Sequence, residues 1–430
     1  MIKKIELKAV TGEQDNKFVG IRIKENNVLF CYPQSYNLSE MTDELNFKKD
    51  VISILRTIAL SKSSSSDTSS YNTKNSNLNN SFAFASFIWI LNDYLKYNRY
   101  DNKEKVTARG QQGKINWKKT FQTTPIISNG NIVYTNIFSD KKRQEDNILT
   151  EIYNCCVNRA IDCIGWLYEI PYNMDGLSYK NNIEKKKKLY LNVLNTELSH
   201  TNNDIKKARL QNMKNIIIGL DSNIIESNEI VYGVDSYNYI YERMVDSLFS
   251  NINNIKDFYP NAEWNFIYDS KKANIWQDSS KLRPDTILID KEKNDVYIID
   301  SKNYQYGTTF DKNSAPTSSD IQKQITYGEY IRNSEKFKIN NYNDIYNAFV
   351  MPFNKSKNTK NLKKNIEFVG AARAKWLVND PTIQENQKYK KIAAILIDMK
   401  FLIENWTNYN KDNLSNLIKE IQKITNTAYE

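Results

Sequence analysis

The stretch "RPDTILIDKEKNDVYIIDSK", residues 283–302, constrains the fold more than any other part of the chain. Two apolar runs, Thr286–Ile289 and Val296–Ile299, flank the polar segment "DKEKND". Short β-branched runs broken by a polar turn predict an antiparallel hairpin. In such a hairpin the start of one strand lies beside the end of its partner, so Asp285 and Asp300 are expected to converge. Asp300 and Lys302 are two residues apart, so in extended backbone they project to one face. Either these charges are ordinary solubilising ends of a surface hairpin, or they form a site. Asp300-Ser301-Lys302 closes an apolar run, where a charged pair is usually avoided unless it is used.

The surrounding pattern supports a sheet. "DSYNYIYERMVDSLFSNI" reads as a helix with Ile240, Met244 and Leu248 on one stripe. "EWNFIYDS", "RPDTILID" and "DVYIIDSK" follow as strands, then the helix "SSDIQKQITYGEYIRN". "YNAFVMPF", "IEFVGAARAKW" and "IAAILID" are further strand candidates, and an amphipathic helix ends the chain. That order is α/β, with a central mixed sheet flanked by helices. The first half differs. It opens with three strand-like runs of a small meander, "KKIELKAV", "KFVGIRIK" and "NNVLFCYP", and continues with several helices and an α+β character. A polar, low-complexity loop covers about 62–81. At 430 residues the chain is too long for one core. The expected division is an amino-terminal domain at 1–225 and a second domain at 226–430.

Several chemistries are excluded. Cys155, Cys156 and Cys163 recur at helical spacing with Ile152, Ala160 and Leu167, which makes them core residues of one helix. No CxxC pair accompanies them, so zinc is not expected. His200 is the single histidine; it sits at the polar end of a helix and reads as a surface residue, which rules out a two-histidine metal site. No GxSxG elbow and no GxxxxGK[ST] loop occurs. No apolar run is long enough to span a membrane, and "MIKKIELKAV" lacks a secretory core, so a cytoplasmic location is expected. The net charge of +10 suits a polyanionic partner, although a Lys- and Asn-rich composition accounts for it equally well.

The charged ends at 285–302 carry a specific chemistry. Phosphodiester hydrolysis needs a divalent cation to screen the phosphate and to lower the pKa of the attacking water. Mg²⁺ takes hard oxygens, often one or two carboxylates with water, and Mn²⁺ accepts the same set. Asp285, Asp300 and the Ser301 carbonyl supply such ligands, and Lys302 is a compact cation for a developing negative charge. The sequence holds a counter-example in Asp398-Met399-Lys400, which also closes an apolar run. No acid opens a strand upstream of it, so Asp398 reads as a strand-end or helix-cap residue.

These motifs resemble the PD-(D/E)xK nuclease superfamily. "KFVGIRI", "GKINWKKTF", "IIDSKNYQYG", "SDIQKQITYGEY" and "YNAFVMPF" resemble, more closely, the LlaJI restriction endonuclease family, relatives of the McrC subunit. The resemblance implies that Asp285 and Asp300 bind metal and that Lys302 is catalytic. It matches Glu242 to an acid on the helix before the sheet, a position that leaves inward and outward orientations open. Gln322 and Gln324 compete for a polar-helix role beside the site or the phosphate, and Gln324 with Tyr327 fits the pattern better. The usual Asp-Ala-Lys is Asp-Ser-Lys here, and Tyr304 keeps the aromatic that follows.

The resemblance further implies a Mg²⁺-dependent restriction endonuclease acting on foreign double-stranded DNA, with a separate AAA+ GTPase motor as partner. A homodimer would supply two sites for double-strand cleavage. Residues 1–225 would then bind the partner or the DNA. "KINWKKTF" suits phosphate contact and stacking, and equally a half-buried strand with a basic outer face, the reading preferred here. Two rival functions stay open: a stand-alone Type II enzyme whose amino-terminal domain reads the sequence, and a non-catalytic binding module of nuclease fold.

Overall fold

The computed structural model describes residues 4–11, 17–24, 27–63, 79–97, 103–110, 113–144, 147–168, 183–219, 229–266, 275–377, 387–408 and 410–425. The expected loop at 62–81 falls mostly on 64–78, outside the described residues. The chain is mixed α/β and forms two compact units. One takes described residues of 23–26 and 77–230; the other takes those of 4–22, 27–76 and 231–430. One crossing lies close to the boundary expected at 225, but the amino-terminal segment up to residue 76 packs mainly with the carboxy-terminal half.

Side-chain chemistry explains that placement. Helix α1 (Glu44–Ser63) carries Asp50, which is 4% exposed. Its carboxylate accepts from Tyr36 Oη at 2.9 Å, from Ser39 N at 2.9 Å and from Ser39 Oγ at 2.7 Å. It also pairs with Lys400 Nζ at 2.8 Å. A carboxylate that deep in protein is costly without a counter-ion, and the pair with Lys400 ties helix α1 to the carboxy-terminal half. Strands β1 (Lys4–Val10), β2 (Val19–Lys24), β3 (Asn27–Pro33) and β9 (Glu229–Val234) form a sheet in the order β1-β3-β2-β9. Its first three strands are not the expected meander, because β1 runs parallel to β3 on the side away from β2. That leaves β2 free to take β9 from two hundred residues later. Glycines let the two backbones close up: a Cβ on Gly20 would lie 2.2 Å from the Tyr232 carbonyl oxygen.

The core of this unit is a five-stranded mixed sheet, β12 (Thr286–Asp290), β13 (Asp295–Ser301), β14 (Ile345–Phe353), β16 (Lys391–Asp398) and β15 (Ile366–Arg373) in that spatial order. β12 and β13 are the expected antiparallel hairpin; β13, β14 and β16 are mutually parallel, and β15 returns antiparallel. β13 and β14 are buried along their whole length, which is why they read as unbroken apolar runs. Helix α7 (Ser318–Asn333) covers one face, packing Tyr327 and Ile331 on Ile287, Val296 and Ile298. β12 is an edge strand, and Asn251 covers it by bonding both Ile289 N at 2.9 Å and Ile289 O at 2.7 Å. Among the described residues no helix is long and apolar enough to cross a membrane.

In the other unit, α2 (Asn79–Tyr97), α3 (Ile148–Ile164) and α5 (Asp204–Gly219) meet at Asp93, which accepts two bonds of 2.8 Å from Arg209 and one of 2.8 Å from Tyr153 Oη. Cys155, Cys156 and Cys163 lie buried on α3 and Cys31 lies buried in β3, none of them in a disulfide. His200 is exposed at the end of α4 (Ile183–His200). "KINWKKTF" is only briefly a strand. β5 (Lys114–Ile115) stops where Asn116 Oδ1 accepts from Lys119 N at 3.1 Å and caps a helical turn, Trp117–Thr120. The Trp117 and Phe121 rings then lie tilted against each other at 5.4 Å, 53% and 58% exposed, so this segment is not the half-buried strand expected.

Candidate active site

The hairpin register sets the site. Thr286 pairs with Ile299, so the next step outward sets Asp285 opposite Asp300. Asp285 Oδ2 accepts the Ser301 backbone N–H at 2.8 Å, which fixes its carboxylate against the end of β13. Asp300 is 2% exposed. Its Oδ2 accepts from Lys302 Nζ at 2.9 Å, whereas its Oδ1 is buried with no hydrogen-bond partner, as is Ser301 Oγ.

Helix α6 (Asn238–Phe249) turns Glu242 inward. Burial raises its pKa, and the neighbouring Asp300 raises it further, against Lys302 and Lys323. Asp285 shows the same conflict more strongly: burial, then Asp300, then Glu242 push its pKa well above the carboxylate range, against the Ser301 N–H and Lys302. Burial opposes the charge on Lys302, but the adjacent Asp300 and Asp320 carboxylates prevail and hold its pKa above the ordinary lysine value. The site therefore crowds carboxyl groups whose charges oppose one another, with Lys302 and Lys323 as the cations acting on them.

Gln324 is 1% exposed, and its Nε2 donates to the Ile298 carbonyl at 2.8 Å. It holds β13 two residues before Asp300. Its backbone carbonyl accepts from Asn347 Nδ2 of β14 at 2.9 Å, so helix α7 is tied to both central strands. Gln322, on the same helix, is exposed. Tyr327 is buried near enough to Asp300 and Asp285 that their charges add to burial in raising its pKa. Tyr304 lies with its ring 5.9 Å from Lys302 Nζ.

Asp320 was not singled out by the sequence. Its Oδ2 accepts Thr317 N and Thr317 Oγ1, both at 2.8 Å, and its Oδ1 pairs with Lys302 Nζ at 3.0 Å. "TSSD" at 317–320 is a readable helix start, with an acid three residues after a threonine. Only the packing of α7 on the sheet sets that acid on Lys302.

The donor set suits a hard divalent cation. Asp300 Oδ1 is a buried, unpartnered carboxylate oxygen, and repulsion among Glu242, Asp285 and Asp300 is what a cation relieves. Among the described residues no group of three or more His, Cys, Asp or Glu side chains forms a metal cage of its own. Mg²⁺ does not need one, since it commonly keeps water and takes only one or two carboxylates.

Asp398 differs. It caps α8 (Met399–Asn405), with Oδ2 accepting from Phe401 N at 3.1 Å and Oδ1 from Lys355 N at 2.9 Å. Both oxygens are spent on backbone, and Lys400 is spent on Asp50.

A mixed sheet whose strand ends bring together acids and a lysine is the arrangement of a nuclease-like α/β protein. The family model of the LlaJI restriction endonuclease matches residues 18–421, and the chain belongs to that family. No curated protein matches it. Among solved structures, a chain of the refined half-complex from the tetradecameric assembly of Thermococcus gammatolerans McrB AAA+ hexamers with bound McrC is similar at 14% identity. That likeness covers 96% of this chain and 86% of the other, with a TM-score of 0.37, too low to argue from.

Proposed function

We propose that this chain is a Mg²⁺-dependent endonuclease subunit that hydrolyses phosphodiester bonds of double-stranded DNA, with a PD-(D/E)xK site at Asp285, Asp300 and Lys302. The observation that carries the proposal is the buried, unpartnered Asp300 Oδ1 at a strand end shared with Asp285 and Lys302. Asp300, Asp285 and the Ser301 carbonyl would hold the cation, with Glu242 beside them. Bound there, Mg²⁺ (or Mn²⁺) supplies charge neutralisation and a more acidic water. Lys302, anchored by Asp320, presents its ammonium to the scissile phosphate as charge develops. Gln324 holds β13 so that Asp300 and Lys302 keep their shared face.

An AAA+ GTPase partner belongs to the same proposal. It is supported by the family resemblance and by a sequence without a P-loop of its own. Residues 77–230 are then the unit left for partner or DNA binding, since the segment up to residue 76 mostly joins the nuclease unit. The test is incubation of plasmid DNA with the protein and Mg²⁺, with and without an AAA+ GTPase of McrB type and GTP. Cleavage only with the motor supports the full proposal, and sequence-specific cleavage by the chain alone turns it to a stand-alone enzyme. Absence of cutting under every condition, with DNA still bound, would favour a non-catalytic module.

A further inference from the structure

A cleft lies beside the candidate site, wholly within the unit that holds it, enclosing about 460 Å³ when space open to solvent is included. Three stretches far apart in sequence build it: Lys17 before β2 and Gln34 after β3, Asn238 at the start of α6, and Asn303, Tyr304 and Gln305 just after Lys302. Asn303 Nδ2 donates to Asn238 Oδ1 at 2.9 Å, and Gln305 Nε2 donates to the Thr11 carbonyl at 3.4 Å. The wall that follows the lysine is therefore tied to both other walls. Asn238 stands one helical turn before Glu242, and Asn303 is next to Lys302, so the cleft is built on the same elements as the site.

Its chemistry contrasts with that of the acids. No carboxylate lines it; the lining is amides, hydroxyls, two tyrosines, two valines, two prolines and the exposed Lys17. The Gln34 Oε1 acceptor is buried with no partner. A lysine for phosphate, a ring to lie against a sugar or base, and amides for a base edge are the parts that hold a nucleotide.

We propose that this cleft binds the nucleotide next to the scissile phosphate, with Lys17 on its phosphate and Gln34 on its base edge. The inference rests on the reading of the site as a DNA nuclease. It makes the first 35 residues part of the substrate-binding surface.

The test uses full-length protein carrying Asp300→Ala, so that nothing is cut, and a fluorescent duplex titrated by anisotropy at several salt concentrations. Lys17→Ala is expected to weaken binding about tenfold and to lower the salt slope by about 1, the signature of one lost phosphate contact. Gln34→Leu is expected to weaken binding severalfold with the salt slope unchanged. Lys419→Ala, an exposed lysine outside the cleft, should bind as the parent does. Both cleft variants binding like the parent would overturn the inference while leaving the nuclease reading intact. Equal losses in Lys17→Ala and Lys419→Ala would overturn it as well, by showing only a general charge effect. A parent that binds no duplex at all would overturn the nuclease reading itself, and the cleft with it.

Discussion

Asp300-Ser301-Lys302 and Asp398-Met399-Lys400 have the same pattern at the ends of two strands of one sheet, yet they do opposite things. Asp398 gives both oxygens to backbone N–H groups, and Lys400 gives its charge to a buried aspartate on α1. Asp300 keeps one oxygen unpartnered, and Lys302 is held between two carboxylates. The first motif is fully satisfied by the fold, so it stabilises. The second is left with an unsatisfied carboxylate oxygen, the feature on which the proposed site rests. What separates them is the neighbours each strand end meets.

The comparison breaks most visibly in activity. Asp300→Ala should lower the cleavage rate by at least about a hundredfold, whereas Asp398→Ala should leave the rate per folded molecule unchanged in a plasmid-nicking assay. Equal losses in the two would remove the distinction. Added Mg²⁺ should raise the melting temperature of the parent but not of Asp300→Ala, since a ligand that binds only the folded state stabilises it.

Asp320→Asn should come next. It keeps the shape but removes one of the two charges on Lys302, and a fall of about tenfold in kcat with little change in KM is expected. A change confined to KM would place Asp320 in binding rather than in positioning Lys302. Lys400→Ala should leave chemistry alone and cost about 1.5–3 kcal/mol, from losing a charged partner of buried Asp50. Asp398→Ala should cost roughly 0.5–2 kcal/mol from the lost helix cap. Denaturant unfolding measures both.

The smallest effect is a pH dependence. The folded-state pKa of Asp285 is raised, by burial first and then by Asp300 and Glu242. Its contribution to stability is therefore intact below the ordinary carboxylate pKa and is lost as pH rises above it. Asp285→Asn should make the metal-free protein more stable than the parent at neutral and higher pH, with the gap closing toward pH 4. A gap that widened as the pH fell would show that Asp285 is stabilised as the carboxylate.

Much of this site was legible because it is local. The alternation and turn at 286–299 set the strand pairing, and pairing alone brings Asp285 to Asp300 and sends Lys302 to the same face. Glu242 was legible only as a position on a helix; its inward orientation comes from how α6 lies against the sheet. Gln324 was expected beside the site or the phosphate, and it is found bonded to the β13 backbone, because α7 packs that side chain into the core. The parallel β1–β3 pair, and the helical turn inside "KINWKKTF", were hidden because a strand-like run does not say which neighbour it will take or where a cap will cut it short.

The sequence by itself determined the hairpin and the carboxylates at its ends. Those follow from residue type and short-range periodicity, which no distant contact can alter. Tertiary structure decided which Asp-x-Lys keeps an unsatisfied oxygen, that Asp320 holds the lysine, and that Lys17 and Gln34 reach the same cleft as Asn303. These depend on contacts between segments up to about three hundred residues apart, and burial and charge balance settle them only when the whole chain is packed.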